Sequence, residues 1–186
     1  MPETMRQMLT AGRAPHSSGR VVEVVELVRA HPRKAAQLIE CLWDEETGVA
    51  LRAANALEKL TRTLPGVCDG WEAPLLGLLA ETEQIKLRWS LALIVPRLKL
   101  TGPECRRTAE VLRSFLGDRS SIVKTCALQG LTDLSSQDAS LLAEVVDLLR
   151  IHSRSGTAAM RARGRQLLKR LDAQPVSFPL RHGSDK

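Results

Sequence analysis

Val49-Ala-Leu-Arg-Ala-Ala-Asn-Ala-Leu57 is the stretch on which the fold turns. It recurs without gaps as Ile85-Lys-Leu-Arg-Trp-Ser-Leu-Ala-Leu93, Val123-Lys-Thr-Cys-Ala-Leu-Gln-Gly-Leu131 and Met160-Arg-Ala-Arg-Gly-Arg-Gln-Leu-Leu168, with starts 36, 38 and 37 residues apart. Each copy opens on a large apolar residue and has Leu at its ninth position. The fifth position is small or modest in three copies; Trp89 is the exception and is expected to be core. Leu60, Leu134 and Leu171 extend three copies at the twelfth position. Positions one, five, eight, nine and twelve fall within about 100° of one another on a helix of 3.6 residues per turn. Each copy therefore reads as the apolar face of a helix, with small residues where a neighbour can approach closely.

Upstream of every copy lies a second amphipathic run, at 35–42, 75–79, 109–116 and 141–149. Turn chemistry separates the runs. Thr101-Gly-Pro-Glu104 has capping-box spacing, and so do Asp69-Gly-Trp-Glu72 and Ser135-Ser-Gln-Asp138. Pro32 suits a first helical turn, and 20–30 reads as a leading helix. The unit is helix, short turn, helix, repeated four times.

Composition agrees. Leu and Ala supply 30 and 20 of 186 residues, against five aromatics and no Tyr. Those two residues favour helix, whereas strands prefer β-branched and aromatic side chains. An all-β fold is thereby excluded. The chain is 44% hydrophobic and 26% charged, enough to bury a core. No stretch approaches the 18 or so apolar residues of a membrane span, and 1–20 lacks the apolar centre of a signal peptide. Cys41, Cys68, Cys105 and Cys126 show no metal-ligand spacing, so free thiols in a reducing, cytoplasmic setting are expected, with no metal or other cofactor.

The four segments resemble the second helix of HEAT-like repeats, whose pattern is Val-Arg-x-x-Ala-Ala-x-Ala-Leu. Val49, Arg52, Ala53, Ala54, Ala56 and Leu57 carry it best. Ile85, Lys86, Ala92 and Leu93 carry the second copy, Val123, Lys124, Ala127 and Leu131 the third, and Met160, Arg161 and Leu168 the fourth. Asp44 and Asp118 sit five residues before the first and third copies, in the acidic turn typical of the family. The period lies below the roughly 40–47 residues usual for that family. The resemblance spans about 32–172 and implies an all-α, right-handed α-solenoid of about four HEAT-like units behind a leading helix. The domain organisation expected is a mobile segment at 1–18, a repeat domain over 19–173 and a mobile tail at 174–186.

Candidate chemistry is sparse. Ser121-Ile-Val-Lys124 has Ser-x-x-Lys spacing, but Lys124 is already explained by the repeat. Asp44-Glu45-Glu46 sits before a helix, where acids suit the helix dipole. His16, His31, His152 and His182 are isolated. No catalytic residue is assigned, and a non-enzymatic role is expected.

Two surfaces are candidates for binding. In the second copy the outward positions carry Leu87, Leu91 and Ile94, where the other copies are mostly polar. A helix apolar all round is either covered or offers a partner-binding patch. The second surface is basic. Residues 1–80 carry net charge −1 and 81–149 carry 0, so the whole excess of +6 arises from 150–186, where nine Lys/Arg face two Asp/Glu. Arg161, Arg163, Arg165, Lys169 and Arg170 form a candidate phosphate-binding cluster there. Arg52, Arg88 and Arg163 make one ladder across the copies. Lys86, Lys124 and Arg161 make another, expected to pair with the turn acids. The leading expectation is a non-catalytic scaffold for a protein partner. The alternative is a nucleic-acid-binding protein, since some DNA glycosylases built from HEAT-like repeats hold a duplex in a basic concave face. A third is a lyase or chaperone for a cofactor-bearing protein.

Overall fold

The computed structural model describes residues 3–10, 19–64 and 66–173. Among these residues the fold is all-α, with ten helices and no strand. They are α1 (Met5–Thr10), α2 (Val21–Ala30), α3 (Ala35–Glu40), α4 (Thr47–Thr61), α5 (Glu72–Glu81), α6 (Ile85–Ile94), α7 (Gly102–Phe115), α8 (Ser121–Ser135), α9 (Leu142–Ser155) and α10 (Ala158–Asp172). The four repeated segments lie on α4, α6, α8 and α10. The leading helix expected at 20–30 is α2.

The even-numbered helices pack in one row, each on the next: α2 on α4, α4 on α6, α6 on α8 and α8 on α10. The upstream runs pack on their partners, α5 on α6, α7 on α8 and α9 on α10. Val49, Ala53, Ala56, Leu57 and Leu60 are fully buried, as the helical phase of the repeat requires. Gly130 shows why small residues recur in these segments. A Cβ there would meet the Ala92 carbonyl on α6 and lie 2.9 Å from a Leu112 methyl. The Ala92 carbonyl is available for that close approach because residue 96 is proline and has no amide to return to it. The same missing amide ends the helix: α6 stops at Ile94 and the chain leaves in a short 3-10 turn, Val95–Arg97.

Thr101 and Glu104 form the expected capping box; the Thr101 amide donates to Glu104 at 2.8 Å. The other two boxes are corrected. α5 begins at Glu72, so Asp69 lies three residues outside it, and Glu72 accepts from the Gly70 amide instead. Ser135 is the last residue of α8. Asp138 is the cap, holding the Ser140 amide at 3.0 Å ahead of a 3-10 turn that leads into α9.

Two larger expectations also change. The segment 1–18 is not uniformly loose, because Met5–Thr10 is helical with Met5, Met8 and Leu9 buried. It packs on α4 and is tied by Arg6 to Asp44 at 2.7 Å. Residues 11–18 and the tail 174–186 lie outside the described residues. The apolar face of α6 is interior: Leu87 is 3% exposed, and Leu91 and Ile94 are 0%. With α4 on one side, α8 on the other and α5 against it, α6 is covered where these three side chains lie. Its all-round apolar character is that of a helix buried on several sides, and these three residues offer no surface to a partner.

Candidate functional site

The arginine ladder splits once the helices are stacked. Arg52 is 3% exposed; its guanidinium donates to the Leu9 carbonyl and lies 3.9 Å from Glu46. Arg88 on α6 bonds Asp118 at 2.8 Å and the Thr82 carbonyl at 2.7 Å, and lies over the Phe115 ring at 5.3 Å. Burial pushes the Asp118 carboxyl up, but the Ser120 amide and Arg88 more than offset this and hold it below the ordinary aspartate range. Arg88, two residues on from Lys86 in the row expected to pair with the turn acids, thus pairs with Asp118. Arg88 is a strut between consecutive units, whereas Arg52 ties α4 to α1. The matching strut ahead of α10 is uncharged, Ser121 Oγ to Thr157 Oγ1 at 2.8 Å.

Arg163, the last member of that ladder, is exposed. With Arg170, seven residues on and so on the same face of α10, it lines a groove of about 500 Å³. Thr61 and Arg62 from the end of α4, Leu93 and Arg97 from the end of α6, and Gln129 and Asp133 from α8 complete the lining. Every one of the four repeated helices therefore contributes, either directly or from the turn that follows it.

The local sequence explains the placement. Gln129 and Asp133 are four apart on α8, and the amide donates to the carboxylate at 2.8 Å. The Pro96 break swings Arg97 back over the end of α4. There Arg97 Nη1 donates to the Glu58 carboxylate, the Glu58 carbonyl and the Thr61 hydroxyl, each at 3.1 Å. Glu58 is 5% exposed and also accepts from Arg62 at 2.8 Å. At the other end Arg170 Nη2 donates to Asp133 at 2.8 Å. The four arginines meet two carboxylates, which leaves two positive charges in excess. Arg163 has a neutral partner, donating to Gln129 Oε1 at 3.4 Å. Cys126 on α8 lies within the same field. Burial pushes its thiol up to about 11; Arg163 and Arg97 act in the opposite direction and Glu58 with it.

The expected five-residue basic cluster is therefore divided. Arg163 and Arg170 enter the groove. Arg161 turns to the Gly156 carbonyl at 2.8 Å, and Arg165 and Lys169 are exposed on the other side of α10. The sequence reading missed Arg62 and Arg97. Both lie just beyond a helix end, in segments whose net charge is near zero, so the charge tally hid them.

Among the described residues no group of three or more His, Cys, Asp or Glu could hold a metal ion, and no helix is long and apolar enough to cross a membrane. The chain matches no family model and no curated protein. Among solved structures it is similar to the crystal structure of an engineered protein, at 16% identity and a TM-score of 0.65, over 90% of this chain and 78% of that one. At that identity the likeness speaks for the fold alone.

Proposed function

We propose that the chain is a right-handed HEAT-like α-solenoid acting as a non-catalytic scaffold, and that it binds an acidic segment of a protein partner in the groove of α4, α6, α8 and α10. The repeat period and the single row of even-numbered helices support the solenoid. The observation that carries the binding role is the groove itself: three units converge four arginines on two carboxylates, leaving a fixed positive excess open to solvent. Such an excess attracts anions and steers their encounter. A cytoplasmic setting belongs to the same proposal, supported by four unpaired thiols.

An acidic protein segment fits better than a duplex. The net excess is two charges in a groove that Asp133 also lines, whereas duplex affinity comes from neutralising many phosphates. Fluorescence anisotropy with a labelled glutamate-rich peptide and a labelled DNA duplex separates the two. The expected result is peptide binding that weakens as salt rises, with weaker duplex binding under the same conditions. Tighter binding of the duplex would transfer the site to nucleic acid.

A further inference from the structure

The groove's cations are not equivalent, and the difference defines the ligand. Arg97 donates to three acceptors on α4, and Arg62 shares the Glu58 carboxylate with it. Recruiting either one means competing with a carboxylate that is 5% exposed and already bonded. Arg170 is engaged by Asp133. Arg163 is exposed and leans on a neutral amide at the long distance of 3.4 Å. An incoming anion gains a charge-assisted bond at Arg163 for the loss of one weak neutral one. We infer that Arg163 is the anchor for a carboxylate side chain of the partner, and that Asp133 selects carboxylate over phosphate. This inference rests on the acidic-segment reading of the groove.

The selectivity follows from charge. Asp133 lies in the lining with Arg163 and takes up Arg170 at 2.8 Å. A carboxylate brings one negative charge toward it, whereas a phosphate monoester brings nearly two and three acceptor oxygens. Attraction to Arg163 grows with the ligand's charge, but the second charge and further oxygens of a phosphate find no other arginine free of a carboxylate, because Asp133 holds Arg170. Gln129 links the two residues, accepting from Arg163 and donating to Asp133, so the anchor and the selector are held in one chain of hydrogen bonds.

Two fluorescein-labelled peptides of equal length test this, one with a pair of glutamates and the other with phosphoserines at the same positions. The native protein should bind the glutamate peptide more tightly. Arg163→Gln should weaken it by about tenfold, as loss of a charged hydrogen bond does, with an unchanged melting temperature. Arg165→Gln, on the opposite side of α10, should leave it unaltered. Asp133→Asn should raise affinity for the phosphopeptide by about tenfold, on the Coulomb scale of one nearby charge, and reverse the preference. If the native protein binds the glutamate peptide and Arg163→Gln binds it equally well, the anchor is wrong and the acidic-segment reading stands. If Asp133→Asn leaves the preference unchanged, the selector is wrong. Failure of the native protein to bind the glutamate peptide would overturn both the reading and the inference.

Discussion

Helices α6 and α10 occupy the same place in their repeats, yet one is core and the other is surface. α6 buries Leu87, Ser90, Leu91, Ala92 and Ile94, whereas α10 buries only Met160, Gly164 and Leu167. The cause is position in the row. α6 has a second helix on each side, and α10 has one on a single side among the described residues. In a stacked array the inner units can be apolar all round, while the last must present a polar outer face. That face carries Arg165 and Lys169, whereas the groove opens along the row, where Arg163 and Arg170 meet Gln129 and Asp133 of α8.

The contrast breaks most readily at α6. Leu91→Glu would put an unpaired charge at a site that is 0% exposed, costing more than about 4 kcal/mol out of the roughly 5–15 kcal/mol that domains have. Loss of the cooperative melt by circular dichroism is expected. A well-folded Leu91→Glu would mean that α6 has a free face after all. Leu91→Ala should cost about 2–5 kcal/mol in urea unfolding. Leu168→Ala on α10, where the side chain is half-buried, should cost less. Equal losses would remove the distinction between the two helices.

Gly130→Ala tests the close approach of α8 to α6. The added methyl meets backbone at Ala92, which cannot step aside, and about 1–3 kcal/mol of destabilisation is expected. A neutral result would show the two helices to be farther apart. The Arg88–Asp118 strut gives a smaller, pH-dependent effect. The Asp118 carboxyl is depressed in the fold, so the unfolded chain binds its proton more readily. The strut's contribution is present above about pH 4, and is lost as pH falls through the depressed value. Asp118→Asn should therefore flatten the fall in melting temperature on the acid side, and a curve parallel to that of the native protein would contradict the strut.

Much of this contrast was legible in the sequence and part was not. The repeats, the helical phase and the break at Pro96 follow from periodic apolar residues and from proline's missing amide, which are local properties. Leu87, Leu91 and Ile94 were placed outward by comparison with the other copies, a comparison that carries no information on how many neighbours a helix has. Met5, Met8 and Leu9 have helical spacing, but the segment is too short to declare itself and is fixed by α4. Arg52 looks like a surface arginine until its partner is found, a carbonyl 43 residues away. The groove was half visible. Arg163 and Arg170 stand in an obviously basic helix, whereas Arg62 and Arg97 join them only because consecutive units stack in register.

Hydrogen exchange read by mass spectrometry, with and without a glutamate-rich peptide, tests the central claim most directly. The account predicts slow exchange through α6 and faster exchange through α10 in the free protein. Added peptide should protect α10, α8 and the turn after α6, and leave α5, α7 and α9 unchanged. Exchange in α6 as fast as in α10, or protection that appears on α5 and α7 instead, would contradict it.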